Sequence, residues 1–251
     1  MTLAADPLRW AGLARSLVIY RARPWRIARL ARFYRGILAP GDLAFDIGAH
    51  AGNRTRALLR AGARVVALEP QRLFFAFLAR DLPAAVTLLP LAAGRAPGEA
   101  ALAVSRLHPT VSSLAAGFPA RMRAAPGFAR VRWDAEETVA VTTLDALIAA
   151  HGPPRFVKID VEGFEAEVLA GLSRPVPWVA FEYLPGAPET AAVCIERLAA
   201  IGRYEFNLVP GEAGGFVLAN WRDAAAILPA LAEAARRGRP GDVYARLAGH
   251  A

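Results

Sequence analysis

One lysine and three acids lie close together in the segment VKIDVEGFE, residues 157–165. Asp160 and Glu162 stand where an apolar strand gives way to a glycine, and period two puts Lys158 and Asp160 on one face while the strand stays extended. A carboxylate at such a strand end can hold a hydroxyl group and accept its proton. Lys158 is the only lysine among 30 basic residues, and a compact ammonium differs from a guanidinium in shape and in how readily its pKa moves. We predict that Asp160, Glu162 and Lys158 form the catalytic centre.

A second set of residues is typical of a nucleoside-binding site. The segment LAFDIGAHAGNRT, residues 43–55, places Asp46, Gly48 and Gly52 between an apolar strand and a helix. Glycines allow the backbone to approach a ligand, and we expect the loop amides and the helix N-terminus to face that ligand. The segment VVALEP then ends a second strand with Glu69, 21 residues after Gly48. An acid at this distance is placed to accept hydrogen bonds from ribose hydroxyls.

The same residues favour one cofactor over another. A dinucleotide site needs a glycine where this chain has His50, because a side chain there obstructs the diphosphate. Asp46 is also a poor neighbour for phosphates and a good one for an amino group. S-adenosylmethionine carries a ribose and an ammonium group but no phosphate, so these residues favour it over NAD. His50 either shapes the turn or acts as a base.

Other polar residues carry weaker predictions. Asn53 and Thr55 either join the cofactor turn or cap the following helix. Glu165 is expected to complement the positive end of a helix, and Cys194 to be a core residue. The remaining candidates, for contacts with a ligand or for orienting the site, are His108, Ser112, Ser113, Asp145 and Glu182.

Strands and helices alternate over most of the chain, which predicts βαβ units and a parallel sheet covered on both faces. A segment at about 94–142, rich in proline and glycine, interrupts this rhythm and is predicted to elaborate the fold. The sequence PGEAG, residues 210–214, predicts a hairpin turn between two late strands. The predicted strands are 43–47, 64–68, 86–91, 100–104, 139–142, 156–161, 178–183, 204–209 and 215–220. The predicted helices are 53–61, 71–80, 144–150, 165–171 and 191–201.

The chain resembles the FkbM-type S-adenosylmethionine-dependent methyltransferases over roughly residues 36–246. The resemblance rests on DIGAHAGNRT, ALEP, LLPLAAG, TTLDALI, FVKIDVEGFEAEVLAGL, FEY and GDVYA. It implies a class I methyltransferase (Rossmann-like) three-layer sandwich, with a seven-stranded, mostly parallel sheet and a terminal antiparallel hairpin, here 204–220. It also implies methyl transfer to oxygen on small molecules, often sugars, glycolipid precursors or polyketides. The predicted cofactor-binding residues are Asp46, Gly48, Ala49, His50, Gly52, Asn53, Thr55, Glu69, Pro70 and Ala92.

Positive charge is concentrated in the N-terminal part of the chain. Residues 1–38 hold eight arginines and one acid, a net charge of +7, out of +8 for the whole chain. Helical spacing predicts helices at about 8–21 and 25–37, so we expect a basic N-terminal helical arm, 1–38, and a methyltransferase domain, 39–251. The arm is either a solvated face or a contact surface for nucleic acid, anionic lipid or an acidic substrate.

Composition bounds the remaining expectations. A single cysteine cannot form an internal disulfide and suits a reducing compartment, so we expect a cytoplasmic protein, with peripheral membrane contact through the arm as a further expectation. No apolar run approaches the roughly 18 residues of a membrane span. The four histidines, His50, His108, His151 and His250, lack metal-ligand spacing, so no metal site is predicted.

Two alternative functions stay open beside methyl transfer to a small-molecule acceptor. A nucleic-acid methyltransferase would use the basic arm, but the Asn/Asp-Pro-Pro-aromatic stretch typical of adenine-N6 enzymes is replaced here by Asp160-Val-Glu-Gly. Cytosine-C5 chemistry needs a cysteine nucleophile, and Cys194 lies outside the predicted site. A non-catalytic protein that keeps the cofactor fold is the second alternative, against which Asp46, Glu69 and Asp160 argue.

Overall fold

A computed structural model describes residues 6–21, 23–123, 125, 128–211 and 215–249. Its helices are α1 Pro7–Arg21, α2 Pro24–Tyr34, α3 Asn53–Ala61, α4 Arg72–Asp81, α5 Phe118–Met122, α6 Leu144–His151, α7 Glu165–Ala170, α8 Pro188–Ile201 and α9 Ala224–Arg236. Its strands are β1 Leu43–Ile47, β2 Arg64–Leu68, β3 Thr87–Leu89, β4 Leu91–Ala93, β5 Gly98–Val104, β6 Ala135–Thr142, β7 Phe156–Ile159, β8 Trp178–Tyr183, β9 Tyr204–Pro210 and β10 Gly241–Leu247.

Seven strands form the central sheet in the order β3-β2-β1-β7-β8-β10-β9. Every residue of β1 and of β7 is buried, as expected for parallel strands that are covered on both faces. These two strands pair in parallel, with Asp46 beside Lys158 and Ile47 beside Ile159. The strand order reverses between β1 and β7, so their carboxyl ends form the crevice where α/β sheets bind ligands. The predicted class I fold, mostly parallel with an antiparallel end, is confirmed.

The second strand of that antiparallel end was predicted wrongly. β9 pairs with β10, residues 241–247, and not with residues 215–220. The 215–220 segment runs along the free edge of β9, where the Val217 amide donates to the Leu208 carbonyl at 3.0 Å. Regular pairing stops there because the Asn207 side chain bonds both backbone groups of Leu218, at 2.9 and 3.1 Å. Residues 212–214 of the predicted hairpin turn lie outside the described residues.

Three other element predictions need correction. The predicted strand 86–91 is divided at Pro90, so that β3 joins the central sheet and β4 a second one. β7 ends at Ile159, which leaves Asp160 beyond the strand instead of inside it. Helix α9 was missed, although Asp223 caps it by accepting from the Ala226 amide at 2.8 Å.

The predicted elaboration at 94–142 supplies β5 and β6, which form a three-stranded sheet with β4 in the order β4-β6-β5, together with α5 and a 3-10 turn at Pro109–Val111. Hydrogen bonds join this unit to the segments that follow β2 and β7. The Gln71 side chain donates to Ser112 Oγ at 2.9 Å, and the Ser113 hydroxyl donates to the Glu162 carbonyl at 2.6 Å. The elaboration therefore contacts both segments in which the site was predicted.

The two N-terminal helices pack on the rest of the chain. Leu30 and Tyr34 of α2 are 4% and 0% exposed and belong to a core cluster that includes Phe156 and Tyr244. In α1, Leu13 and Ser16 are buried. The division of the chain at residue 38 stays a prediction. Among the described residues, no helix combines the length and the apolar character that crossing a membrane requires.

Candidate active site

The glycine turn after β1 lies against the segment that follows β7. Gly48 has a φ of +88°, and a Cβ atom on it would lie 2.0 Å from the Asp160 carbonyl oxygen. Only glycine fits such a close backbone approach at this φ. The amides of Gly48 and Ala49 donate to the Leu68 carbonyl, at 3.0 and 2.9 Å. These amides therefore do not face a ligand as expected: they fix the turn to the end of β2.

Asp46 and Thr55 form a buried pair beneath this turn. The Thr55 hydroxyl donates to Asp46 Oδ2 at 2.5 Å, while the fully buried Oδ1 has no hydrogen-bond partner. Burial raises the pKa of Asp46, against the opposing effect of that hydrogen bond. Neither Asn53 nor Thr55 caps α3, because the N-cap is Gly52 and it has no side-chain bond. Asn53 instead donates to the Tyr20 carbonyl at 2.8 Å.

Glu69 stands at the end of β2, as predicted from its distance to Gly48. It is 2% exposed, and its two oxygens accept from the His50 and Gln71 amides, each at 2.8 Å. Burial raises its pKa. Glu69 and His50 line a first cavity whose other walls are mostly apolar. The other lining residues include Pro70, Leu91, Ala92, Leu102, Ser112, Asp160 and Phe164.

Asp160 lies between this cavity and a second one. Its Oδ2 atom accepts from Arg54 Nε at 3.2 Å and lies 3.9 Å from Lys158 Nζ. Burial alone would raise the pKa of Asp160, but the two cations outweigh it and hold the pKa at about 2. The carboxylate is therefore ionised throughout the usual working range of pH.

Lys158 lies beneath the site and lines neither cavity. Its side chain is fully buried, and Nζ lies 3.0 Å from Asp242 Oδ1 and 2.8 Å from the Ile159 carbonyl. Burial would lower the pKa of Lys158, but Asp242 raises it above its ordinary value. Arg54 joins the same group because its guanidinium lies 3.2 Å from Asp242 Oδ2. The structure thus makes Lys158 a positioning residue rather than one that contacts a ligand.

Glu162 and Glu182 supply two further carboxylates to the second cavity. Oxygens of Asp160, Glu162 and Glu182 all lie within 4.8 Å of one another, and Glu182 Oε2 is buried without a hydrogen-bond partner. Burial and the neighbouring acids raise the pKa values of Glu162 and Glu182 well above the ordinary range. These three carboxylates could also hold a cation. The sequence prediction of no metal site rested on the spacing of the histidines alone. Charged or protonated, the three side chains present oxygen atoms to whatever enters the cavity.

Backbone strain is concentrated at the same place. Among the described residues, the two non-glycine residues with positive φ are His50, at +48°, and Glu162, at +55°. Such conformations cost about 1–3 kcal/mol each and persist where the surroundings impose them. The amide of His50 is held by Glu69, and the carbonyl of Glu162 by Ser113. Both strained residues line the second cavity.

The weaker sequence candidates take different places. Ser112 lines the first cavity. Glu165 is 2% exposed and accepts from the Val161 and Gly163 amides, and burial raises its pKa to about 7. Asp145 holds the Ser173 amide at 3.0 Å, and Cys194 is in the core. His108 lines neither cavity, and His250 lies outside the described residues.

The residues fit the predicted cofactor. The first cavity offers apolar walls for a base and the Glu69 carboxylate for ribose hydroxyls. Gly48, His50 and Asp160 line both cavities, so the two meet at the glycine turn. The second cavity, of about 190 Å³, carries the acids that an ammonium or sulfonium group needs. The unpartnered, buried Asp46 Oδ1 suits a cationic neighbour better than a phosphate.

Arg54 and Asp242 are the site residues that the sequence reasoning missed. An arginine one residue into a helix is usually solvated, and nothing in the local pattern marks Arg54 as buried. Asp242 gave a stronger signal, because it is an acid in the apolar strand GDVYA, where an unpaired charge would be costly. A lone buried lysine elsewhere in the sheet is the partner that such an acid requires.

Comparison with known proteins adds family membership to this geometry. A family model described as "Methyltransferase FkbM domain" matches residues 46–216, which is most of the chain and runs from Asp46 beyond Glu182. A search of curated proteins found no match.

Solved structures of methyltransferases have a similar topology at low identity. An O-methyltransferase from Bacillus cereus, in complex with SAH, is 15% identical with a TM-score of 0.47, over 98% of this chain and 93% of that one. A TehB-like SAM-dependent methyltransferase from Corynebacterium glutamicum is 10% identical with a TM-score of 0.47, over 93% and 99%. The precorrin-6y C5,15-methyltransferase of Geobacter metallireducens is 14% identical with a TM-score of 0.43, over 91% and 88%. The fold assignment itself rests on the strand order given above.

Proposed function

We propose that this chain, which belongs to the FkbM methyltransferase family, methylates a hydroxyl group of a small molecule such as a sugar, a glycolipid precursor or a secondary metabolite. Membership of the family makes the protein an S-adenosylmethionine-dependent methyltransferase. The hydroxyl acceptor is the part that we propose. The observation that carries it is the group of three carboxylates, Asp160, Glu162 and Glu182, in the wall of the second cavity beside the glycine turn.

When bound, S-adenosylmethionine supplies an electrophilic methyl group on a sulfonium sulfur. Glu69 would hold the ribose hydroxyls, and Ala92 and Phe164 would flank the base, since all three line the first cavity. The apolar walls of that cavity exclude water from the nucleoside. Asp46 lines neither cavity, so its buried, unpaired oxygen would act on the ammonium group through the turn and not by contact.

The carboxylates of the second cavity differ in what they can do for an acceptor hydroxyl. Asp160, held ionised by Arg54 and Lys158, is a weak base that can orient the hydroxyl by accepting its hydrogen bond. Burial and the neighbouring acids raise the pKa of Glu162, so its ionised form is a stronger base than Asp160. We assign the orientation of the hydroxyl to Asp160 and the acceptance of its proton to Glu162. The proton leaves the oxygen as the new carbon–oxygen bond forms.

The charge of the second cavity supports a small acceptor over a nucleic acid. Its cation Arg54 is already engaged by Asp160 and Asp242, at 3.2 Å each. Glu162 and Glu182 add carboxyl groups and no cation with which a phosphate could pair. Carboxylate oxygens suit the hydroxyl groups of a neutral polyol instead.

Transfer of a labelled methyl group tests this proposal. The full chain is incubated with methyl-labelled S-adenosylmethionine and cell-extract fractions, and the product is treated with alkali. We expect a label that resists alkali, as an O-methyl ether does and a methyl ester does not. NMR of the product then separates methyl on oxygen from methyl on nitrogen or carbon. Label on nitrogen, on carbon or in an ester would contradict the hydroxyl acceptor.

Charge-neutral variants test the assigned residues. Asp160→Asn and Glu162→Gln keep the shape of each side chain, and at least one should lose turnover by about 10²–10⁴-fold. The affinity for S-adenosylhomocysteine, measured by calorimetry, should change far less. Glu196→Gln, an exposed position on α8, serves as the matched control. Normal turnover in both cavity variants would show that the carboxylates are structural.

A further inference from the structure

Helix α1 packs Leu13, Leu17 and Tyr20 against the rest of the chain and also leaves large apolar side chains exposed. Of the eight large apolar side chains that the described residues leave exposed, four lie between residues 10 and 25. Three of these are on α1: Trp10 at 47%, Val18 at 68% and Ile19 at 44%. The residues buried on the opposite side are Gly12, Leu13 and Ser16. Half of the exposed large apolar side chains thus fall within 16 residues of the N-terminal segment, three of them on one helix, which singly scattered residues would not explain.

The fourth exposed side chain, Trp25, stands at the start of α2 and is 65% exposed. We name these four side chains, Trp10, Val18, Ile19 and Trp25, the α1 face. Tryptophan is enriched at membrane interfaces because its ring is apolar and its N–H is polar. Exposed tryptophan and aliphatic side chains are what a segment bound at the membrane interface places at the headgroup boundary.

The charges of the N-terminal segment are mostly positive. Residues 1–38 hold eight arginines, of which Arg15, Arg23, Arg29, Arg32 and Arg35 are exposed. The single acid of that segment, Asp6, is 6% exposed and paired with Arg9 and Arg106. Asp81, which lines a pocket together with Trp10, is paired with Arg21 and Arg56. An exposed apolar face whose acidic neighbours are paired and whose arginines are exposed is complementary to an anionic lipid surface.

From these observations we propose that the α1 face docks this protein on the surface of an anionic bilayer, with the apolar side chains at the headgroup boundary and the arginines on the lipid charges. The face adjoins the second cavity: Tyr20, which lines that cavity, directly follows Ile19. α1 is tied to the turn there, since Arg21 donates to the Ala51 carbonyl at 3.1 Å and pairs with Asp81. Docking is independent of the proposed acceptor, because it requires no turnover.

Point variants of the full chain test this better than removal of the arm. Deleting residues 1–38 would expose the core positions that Leu30 and Tyr34 fill, and the protein would lose packing as well as the face. Val18 and Ile19 are exposed, so Val18→Glu with Ile19→Glu changes the face without opening the core. Val193→Glu on α8, where the valine is 50% exposed, is the matched control.

Sedimentation with vesicles gives the measurement. The full chain should bind vesicles of phosphatidylcholine and phosphatidylglycerol at about 3:1, and bind pure phosphatidylcholine more weakly. Added salt should weaken the binding, because it screens the arginines. Val18→Glu with Ile19→Glu should lower the partition coefficient by about tenfold or more, and Val193→Glu should leave it unchanged. Circular dichroism and the affinity for S-adenosylhomocysteine should not change in any variant.

Three results would overturn the proposal. One is a full chain that stays in solution with the anionic vesicles. Another is a loss of binding in Val193→Glu as large as in the double variant. The last is a chain that self-associates through the face, with a dimer that the double variant dissolves and no binding to lipid. That outcome would make the face an interface between two copies.

Discussion

Asp242 should be the residue on whose charge the buried part of the site depends. It is 2% exposed and lies 3.0 Å from Lys158 Nζ and 3.2 Å from the Arg54 guanidinium. Asp242→Asn keeps the shape of the side chain and removes the anion that both cations share. Lys158, which is fully buried, would then keep only the Ile159 carbonyl at 2.8 Å and Asp160 at 3.9 Å.

The size of the effect follows from these contacts. Removing one partner of a buried ion pair costs about 3–5 kcal/mol, because the remaining charge is left without compensation. Arg54 keeps its bond to Asp160 at 3.2 Å, so the uncompensated charge is mainly that of Lys158. We therefore expect Asp242→Asn to lower the free energy of unfolding by about 3 kcal/mol.

Urea unfolding of a double-mutant cycle measures this coupling. Lys158→Met removes the cation, so the pair Lys158→Met and Asp242→Asn should cost at least about 1.5 kcal/mol less than the sum of the single variants. Glu205→Gln is the control, because it breaks the half-exposed pair with Arg246 and should cost about 0–1 kcal/mol. The coupling of Asp242 to Lys158 would be refuted if the two single variants lowered the free energy of unfolding additively. It would also be refuted if Asp242→Asn lowered it no more than Glu205→Gln does.

Three other changes have defined outcomes. Glu69→Ala should weaken S-adenosylhomocysteine binding by about 1–3 kcal/mol in calorimetry, and an unchanged affinity would remove Glu69 from the cofactor site. The pKa of Glu165 is raised by burial to about 7 from the ordinary 4.5, so its stabilising contribution is complete below pH 4.5 and is lost as the pH rises to 7. Glu165→Gln should make the free energy of unfolding fall by about 3 kcal/mol less across that window in urea titrations, and equal slopes would contradict the assignment. Gly48→Ala should cost at least about 2 kcal/mol more than Gly41→Ala in the same assay, because both have a φ of +88° but only Gly48 meets the Asp160 carbonyl. Equal costs would mean that the close approach is unimportant.

The strands of the central sheet could be predicted because their signal is local. Residues 43–47, 64–68 and 178–183 are short apolar runs, and the structure has strands at these bounds. Strand pairing in the late part of the chain was harder to predict. A hairpin at 204–220 and a longer connection through α9 are both compatible with the local sequence pattern. What decides between them is a long-range choice: β10 fills the place between β8 and β9 with five buried residues in a row. Strand pairing over some 30 residues is not encoded in either segment alone.

The residues of the site likewise fall into those that local motifs predict and those that depend on long-range strand pairing. Asp46, Gly48, Glu69 and Asp160 lie at the ends of adjacent parallel strands, so motif spacing and the topology of the sheet bring them together. Arg54 and Asp242 contact one another from opposite ends of the chain, and only the folded register of β10 makes them partners. Their pairing also explains a feature of the sequence: position 158 lies inside a sheet where a carbonyl and two carboxylates surround it, which suits a compact ammonium rather than a planar guanidinium. In a chain that uses arginine at its 29 other basic positions, the single lysine marks the place where a buried cation must orient the acid that faces the ligand.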